Sequence, residues 1–251
     1  MKNVVEVLGR AMEAVGRRLA AESVGWFHGR SVRSISTGTP ALDAALGSGG
    51  LPCGRLVECV SAEPSDETAL ALQVIASAQA SGGAAAFIDA EHMLDANGAR
   101  RLGVNLHDLV VSQPACGEEA LAICEWLAKS GAVDVVVVDS VAALAPRAEL
   151  EGVADDAPAR LQSRLLSQAL HKLAVSLACS GTLCIFTNGR GKSANAVAER
   201  GPSRYVDVLE PYASCRLQVR RRNATADGRD WIAGDRLCVR IVKNRIRARA
   251  A

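Results

Sequence analysis

The chain has 251 residues, 49% of them hydrophobic, 22% charged and only 3% aromatic, with a formal net charge of +2. That is enough apolar material for one large or one-and-a-half domains. It excludes a spanning protein, because the longest uncharged apolar stretches, such as residues 135–138, fall far short of a membrane span. Eight cysteines include no Cys-x-x-Cys pair and no histidine at ligand spacing, so neither a metal site nor a disulfide framework is expected; Cys59, Cys124, Cys179, Cys184, Cys215 and Cys238 are expected as reduced core residues.

Residues 4–22 place Val4, Leu8, Met12, Val15 and Leu19 at helical spacing, with Arg10, Arg17 and Arg18 elsewhere on the surface. This pattern predicts an amphipathic helix without a core of its own, followed by a linker through Trp26 and Gly29 to Arg33. The expected division is therefore 1–33 (helix and linker) and 34–251 (core domain). The acids Glu6, Glu13 and Glu22 stand where a signal or transit peptide avoids them, so the expected location is the cytoplasm.

Residues 56–60 then read as a short apolar strand, 61–68 as a turn, and the chain from Thr68 to Ala80 as an apolar helix. A phosphate-binding loop belongs at such a strand–turn–helix junction. A working loop needs glycines that turn backbone N–H groups towards phosphate, a lysine that reaches the terminal phosphates, and a closing hydroxyl residue. Only Thr68 meets that description. Ser61 and Asp66 bound a turn without glycine, Pro64 removes an N–H, and Glu63, Asp66 and Glu67 put carboxylates where an anion would sit. A like-charge pair about 4 Å apart costs roughly 1 kcal/mol in water and about 4 kcal/mol at an effective dielectric of 20. The same acids suit a structural role: Ser65 or Asp66 can cap the helix and Glu67 complements its dipole.

Strands are predicted next at 84–88, 109–112, 133–138 and 183–187, alternating with helices at 96–102, 118–129 and 159–178. Near-continuous apolar strands alternating with helices imply a mostly parallel sheet flanked by helices, an α/β fold. Residues 213–221 and 236–242 read as paired strands around a polar turn at 223–230. The helix at 159–178 presents Arg160, Arg164, Gln168 and His171/Lys172 as a basic stripe, with Leu161, Leu165, Leu173 and Leu177 expected buried opposite. The segment after it carries Arg190, Lys192, Arg200 and Arg204, together with Gly191 and Gly201, against Glu199 alone. Arg164, Lys172, Arg190, Lys192, Arg200 and Arg204 are therefore candidate nucleic-acid contacts, electrostatic and salt-sensitive. An ordinary solvated face accounts for the same charges.

The strings Ser34-Ile35-Ser36-Thr37-Gly38, Leu42-Asp43, Gly49-Gly50-Leu51-Pro52, Phe87-Ile88-Asp89-Ala90-Glu91-His92 and Val133-Asp134 through Asp139-Ser140 to Leu144 strongly resemble the bacterial recombinase RecA family. The resemblance covers roughly residues 35–245. It implies a RecA-like core with an N-terminal helix, in a family of strand-exchange ATPases that polymerise on single-stranded DNA. By that resemblance Glu91 falls where the attacking water is activated and Asp139 at the second acidic strand end, while the phosphate-binding glycine and lysine fall on Asp66 and Glu67. The adenine-reading residue falls on Ala115 and the nucleotide-sensing glutamine on Gly189. ATP and Mg2+ binding are accordingly expected to be weak or lost, Glu91 and Asp139 to be vestigial hydrogen-bond acceptors, and no residue to be catalytic.

Lys243 and Arg245 match the pair that reaches across to a neighbouring subunit. With the helix bearing Val4, Leu8, Met12 and Val15 they form the expected partner interface. Tyr205-Val206 and Glu210-Pro211 replace the family's allosteric interface residues, and the family's small C-terminal domain is expected to be missing. The functional expectation is a catalytically inactive RecA-like adaptor in DNA repair and the SOS response, binding RecA or translesion polymerase components, similar to ImuA-type mutagenesis accessory proteins. The alternatives are a minimal DNA-dependent ATPase or recombinase, and a plain single-strand-binding module.

Overall fold

A computed structural model describes residues 33–61, 66–152, 158–189, 206–221, 231–233 and 237–246. The chain divides into two units, residues 1–32 and 33–251. The first lies outside the described residues, and with it the helix predicted over Val4, Leu8, Met12, Val15 and Leu19.

A small antiparallel pair opens the second unit, β1 (Ser34–Ile35) against β2 (Leu51–Pro52), with α1 (Pro40–Leu46) between them. Three of the strings that carry the family resemblance turn out to brace this corner. Asp43 accepts from the Thr37 backbone N–H at 2.8 Å, from Thr37 Oγ1 at 2.7 Å and from Ser36 Oγ at 2.6 Å. Gly50, at φ 145°, lies so close to β1 that a Cβ there would stand 2.2 Å from the Ile35 carbonyl oxygen, a position open to glycine alone.

The remaining elements alternate. In order they are β3 (Leu56–Ser61), α2 (Asp66–Ala80), β4 (Ala85–Asp89), α3 (Ala96–Arg101), β5 (Leu109–Ser112), α4 (Gly117–Ser130), β6 (Val135–Asp139), α5 (Arg147–Leu150), α6 (Pro158–Ser180), β7 (Leu183–Gly189), α7 (Val206–Leu209), β8 (Ala213–Arg221), β9 (Trp231–Ala233) and β10 (Leu237–Asn244). They build an eight-stranded sheet in the order β5-β4-β6-β7-β3-β8-β10-β9. The first six strands are mutually parallel, and β10 runs antiparallel to both β8 and β9. This is the α/β fold that the strand–helix alternation predicts.

Successive strand residues point to opposite faces, so the sheet has two cores. Val57, Cys59, Val135 and Val137 pack with α2, which buries Leu70, Ala71, Leu72, Val74, Ile75 and Ala78. Val136, Val138 and Phe186 pack with α4 and α6 through Cys124, Leu166, Leu170, Leu173 and Leu177. Each such large side chain contributes about 1.5–3 kcal/mol.

Two expectations need correction. Leu161 and Leu165 are only half-buried, because the inner line of α6 runs instead through Gln162, Leu166, Leu170, Leu173 and Leu177. Cys179 is exposed, while the other seven cysteines are buried. The short strands β1, β2 and β9 have too few residues to show a periodicity and escape sequence reading. Among the described residues no helix is long and apolar enough to cross a membrane.

Candidate functional site

Strands β3, β4, β6 and β7 end together, at Ser61, Asp89, Asp139 and Gly189. Asp89 is in register with Asp139, and Ser61 with Gly189. The carboxyl edge of a parallel sheet is where α/β proteins place ligands. Here that edge is acidic and well connected. A separate cavity of about 210 Å³ lies at the other edge, among Arg33, Ser36, Ser81 and Asp134.

Asp139 is 8% exposed. Its carboxylate accepts from Thr68 Oγ1 at 3.0 and 3.1 Å and from Thr187 Oγ1. Burial raises its pKa, with Glu91 and Asp89 adding repulsion, while the Thr187 and Thr68 hydroxyls pull it back. The peptide bond from Asp139 to Ser140 is cis, and Ser140 Oγ donates to Glu91 Oε1. Asp89 accepts from the Met93 and Leu94 backbone N–H groups at 3.0 and 3.2 Å and from Gln113 Nε2 at 2.9 Å. Between them His92 holds a φ of 56°, an uncommon conformation for a residue with a side chain.

Glu67, on the first turn of α2, is 4% exposed, and its Oε2 has no hydrogen-bond partner among the described residues. Burial pushes its pKa up to about 7, and the neighbouring Asp139, Asp66 and Glu91 add to the rise against its own backbone N–H. Its Oε1 lies against Gly189. Asp66 is buried beside it and Thr68 half-buried. Ala115 is exposed, its backbone N–H donating to Glu119 Oε2 at 2.9 Å. The structure thus brings Ser61, Asp66, Glu67, Thr68, Glu91 and Asp139 to one edge. Glu63 lies outside the described residues.

The other predicted contacts are distributed elsewhere. Arg164 and Lys172 are exposed on α6, as are Arg160, Gln168 and His171. Arg190, Lys192, Arg200 and Arg204 lie outside the described residues. Lys243 and Arg245 face their own chain: Lys243 Nζ donates to the Glu210 carbonyl and Arg245 donates to the Pro211 carbonyl at 3.0 Å. Both therefore brace the corner between α7 and β8. Burial and the nearby Arg245 and Arg216 lower the Lys243 pKa against the pull of Glu210 and Glu58.

Sequence reasoning missed a buried charge network centred on Glu58, three residues before the end of β3. Glu58, fully buried in β3, accepts from Arg216 Nε at 2.7 Å and from Asn188 Nδ2 at 2.9 Å. Its signal was a lone acid inside the apolar run Leu56-Val57-Glu58-Cys59-Val60. Thr187 and Ser140 were also missed, since a hydroxyl beside a strand end carries no pattern of its own.

A family model described as the RecA N-terminal domain matches residues 6–250. The chain belongs to the RecA family. It is 52% identical over 218 residues to the Protein RecA of Thioalkalivibrio sulfidiphilus, covering 86% of this chain and 63% of that protein. It is 51% identical over 218 residues to that of Bdellovibrio bacteriovorus, covering 86% and 58%, and 50% identical over 216 residues to that of Parvibaculum lavamentivorans, covering 86% and 59%. The chain therefore spans about three fifths of the length of these RecA relatives.

Proposed function

We propose that this RecA-family chain serves DNA recombination and repair as an adaptor without ATPase activity, engaging other proteins, an active RecA subunit first among them. One observation carries the reading: at the turn where a phosphate would be gripped, the helix begins with two buried acids, Asp66 and Glu67. Glu67 is an orphaned buried carboxyl with three carboxylates around it. A triphosphate there would meet negative charge in a poorly solvated site, with no lysine to offset it. These residues do not fit the nucleotide.

The acids that survive are engaged in holding the edge together. Asp139 accepts from Thr68 and Thr187, and Glu91 accepts from Ser140. The deciding experiment is titration calorimetry with ATP and Mg2+. The expected result is no binding at micromolar ATP and no phosphate release with single-stranded DNA.

The second reading, a minimal DNA-dependent ATPase, draws on the convergence of Thr68, Glu91 and Asp139 at one edge. A micromolar dissociation constant, or DNA-stimulated phosphate release abolished by Glu91→Gln, replaces the adaptor reading with this one. For the partner, co-sedimentation with RecA filaments is the assay, and deletion of residues 1–22 is expected to abolish it. Translesion polymerase components are the next partners to test, in pull-downs after DNA damage under SOS conditions.

A further inference from the structure

Cys124 on α4 and Cys184 on β7 place their sulfurs 3.6 Å apart, one thiol donating to the other. Sixty residues separate them along the chain, so the fold creates the meeting: Cys184, in register with Val136, lies on the sheet face that packs with α4. Both cysteines are fully buried, in the core that holds Ala120, Val138, Leu170 and Phe186. A cysteine in such a place is ordinarily a small apolar residue. This pair differs in what its contact permits. A disulfide has its sulfurs about 2.05 Å apart, so an approach of about 1.5 Å converts the contact into a bond. The conversion removes two hydrogens and adds no atom, whereas a metal ion or a sulfenic oxygen would need room that a close-packed core lacks.

We propose that Cys124 and Cys184 form a latent redox latch: a small disulfide oxidant joins them and ties α4 covalently to β7. In the closed core, burial and the neighbouring Cys124 push the pKa of the Cys184 thiol well above the ordinary thiol range, so its thiolate is not available there. Reaction waits for α4 to lift from the sheet. One thiol then gives its proton to solvent, and its thiolate attacks the oxidant and releases one small thiol. On reclosure the second cysteine, also giving up its proton, attacks the bound sulfur and releases the other. The protein thiols lose two protons and two electrons, and one small disulfide becomes two thiols. The new bond closes a long loop and so restricts the unfolded chain. It also keeps α4, with its exposed Trp126, on the sheet.

The test incubates the folded protein with oxidised glutathione, Cys179→Ser removing the exposed thiol, and reads intact mass and a peptide map. The expected product has lost two hydrogens, carries a crosslink between Cys124 and Cys184, and unfolds at higher urea, a gain that dithiothreitol reverses. Hydrogen exchange across residues 117–130 and 183–189 slows in the oxidised form. Cys184→Ala abolishes the loss of two hydrogens; where that variant fails to fold, the peptide map of the protein with Cys184 in place decides alone. A protein that stays fully reduced overturns the latch. So does glutathione retained on either cysteine, a crosslink between other cysteines in place of this one, or an oxidised form that unfolds at lower urea.

Discussion

The Thr68 hydroxyl is shared between the two carboxylate oxygens of Asp139, at 3.1 and 3.0 Å, and so ties the first turn of α2 to the end of β6. Asp139→Ala leaves that hydroxyl without its acceptor and takes one from Thr187, at a cost of about 1–3 kcal/mol. Asp139→Asn keeps an acceptor oxygen and removes a charge that burial penalises, so its stability stays within about 1 kcal/mol of wild type. Urea denaturation at neutral pH separates the two variants.

Glu67 makes stability depend on pH with a definite sign. Its folded pKa is raised from 4.5 to about 7, so the folded state holds the proton more tightly than the unfolded state does. The resulting stability is fully present below about 4.5 and is lost as pH rises through 7. At about 1.4 kcal/mol for each tenfold change in proton affinity, the whole effect has an upper bound of about 3.5 kcal/mol. Glu67→Gln is therefore expected to be more stable than wild type at about pH 8, with the advantage narrowing as pH falls towards about 5. Equal differences at both pH values would show that Glu67 titrates normally.

Arg216 is the counter-charge of a carboxylate with no access to water: the two side chains are 12% and 0% exposed. Arg216→Leu strands Glu58 and is expected to cost about 3–5 kcal/mol. Replacing both residues with leucine removes the stranded charge as well as the pair. The double variant is therefore expected to be more stable than Arg216→Leu alone, a comparison that thermal or urea unfolding makes directly.

Arg164 and Lys172 stand exposed on α6, so reversing their charge leaves the core intact. If single-stranded DNA lies along that helix, Arg164→Glu with Lys172→Glu weakens binding and reduces the slope of log affinity against log salt by about 0.7 for each phosphate no longer neutralised. Anisotropy titrations at several salt concentrations measure both. An unchanged slope would place the DNA elsewhere on the surface.

The core was legible because β3, β4, β6 and β7 are apolar runs and the helices between them repeat at helical spacing. Chain polarity alone then put Ser61, Glu91 and Asp139 at one edge. The content of that edge was less legible. Ser61 and Gly189 share a register although several strands and helices separate them along the chain, and no local pattern announces that the Glu67 carboxyl lies against Gly189. Lys243 and Arg245 donate to carbonyls of their own chain at Glu210 and Pro211, contacts between segments more than thirty residues apart that no local pattern signals.

The Glu58 network also bears on the order in which the molecule can assemble. Asn188 lies 130 residues and Arg216 158 residues beyond the carboxylate they hold, and β3 is flanked by the strands that carry them. During synthesis the middle of the sheet therefore waits for material made long afterwards. Contacts of such separation slow folding and leave apolar strands open meanwhile. A nascent chain interrupted before β8 would keep Glu58 without its arginine, a species suited to chaperone capture or degradation rather than to a stable shortened fold.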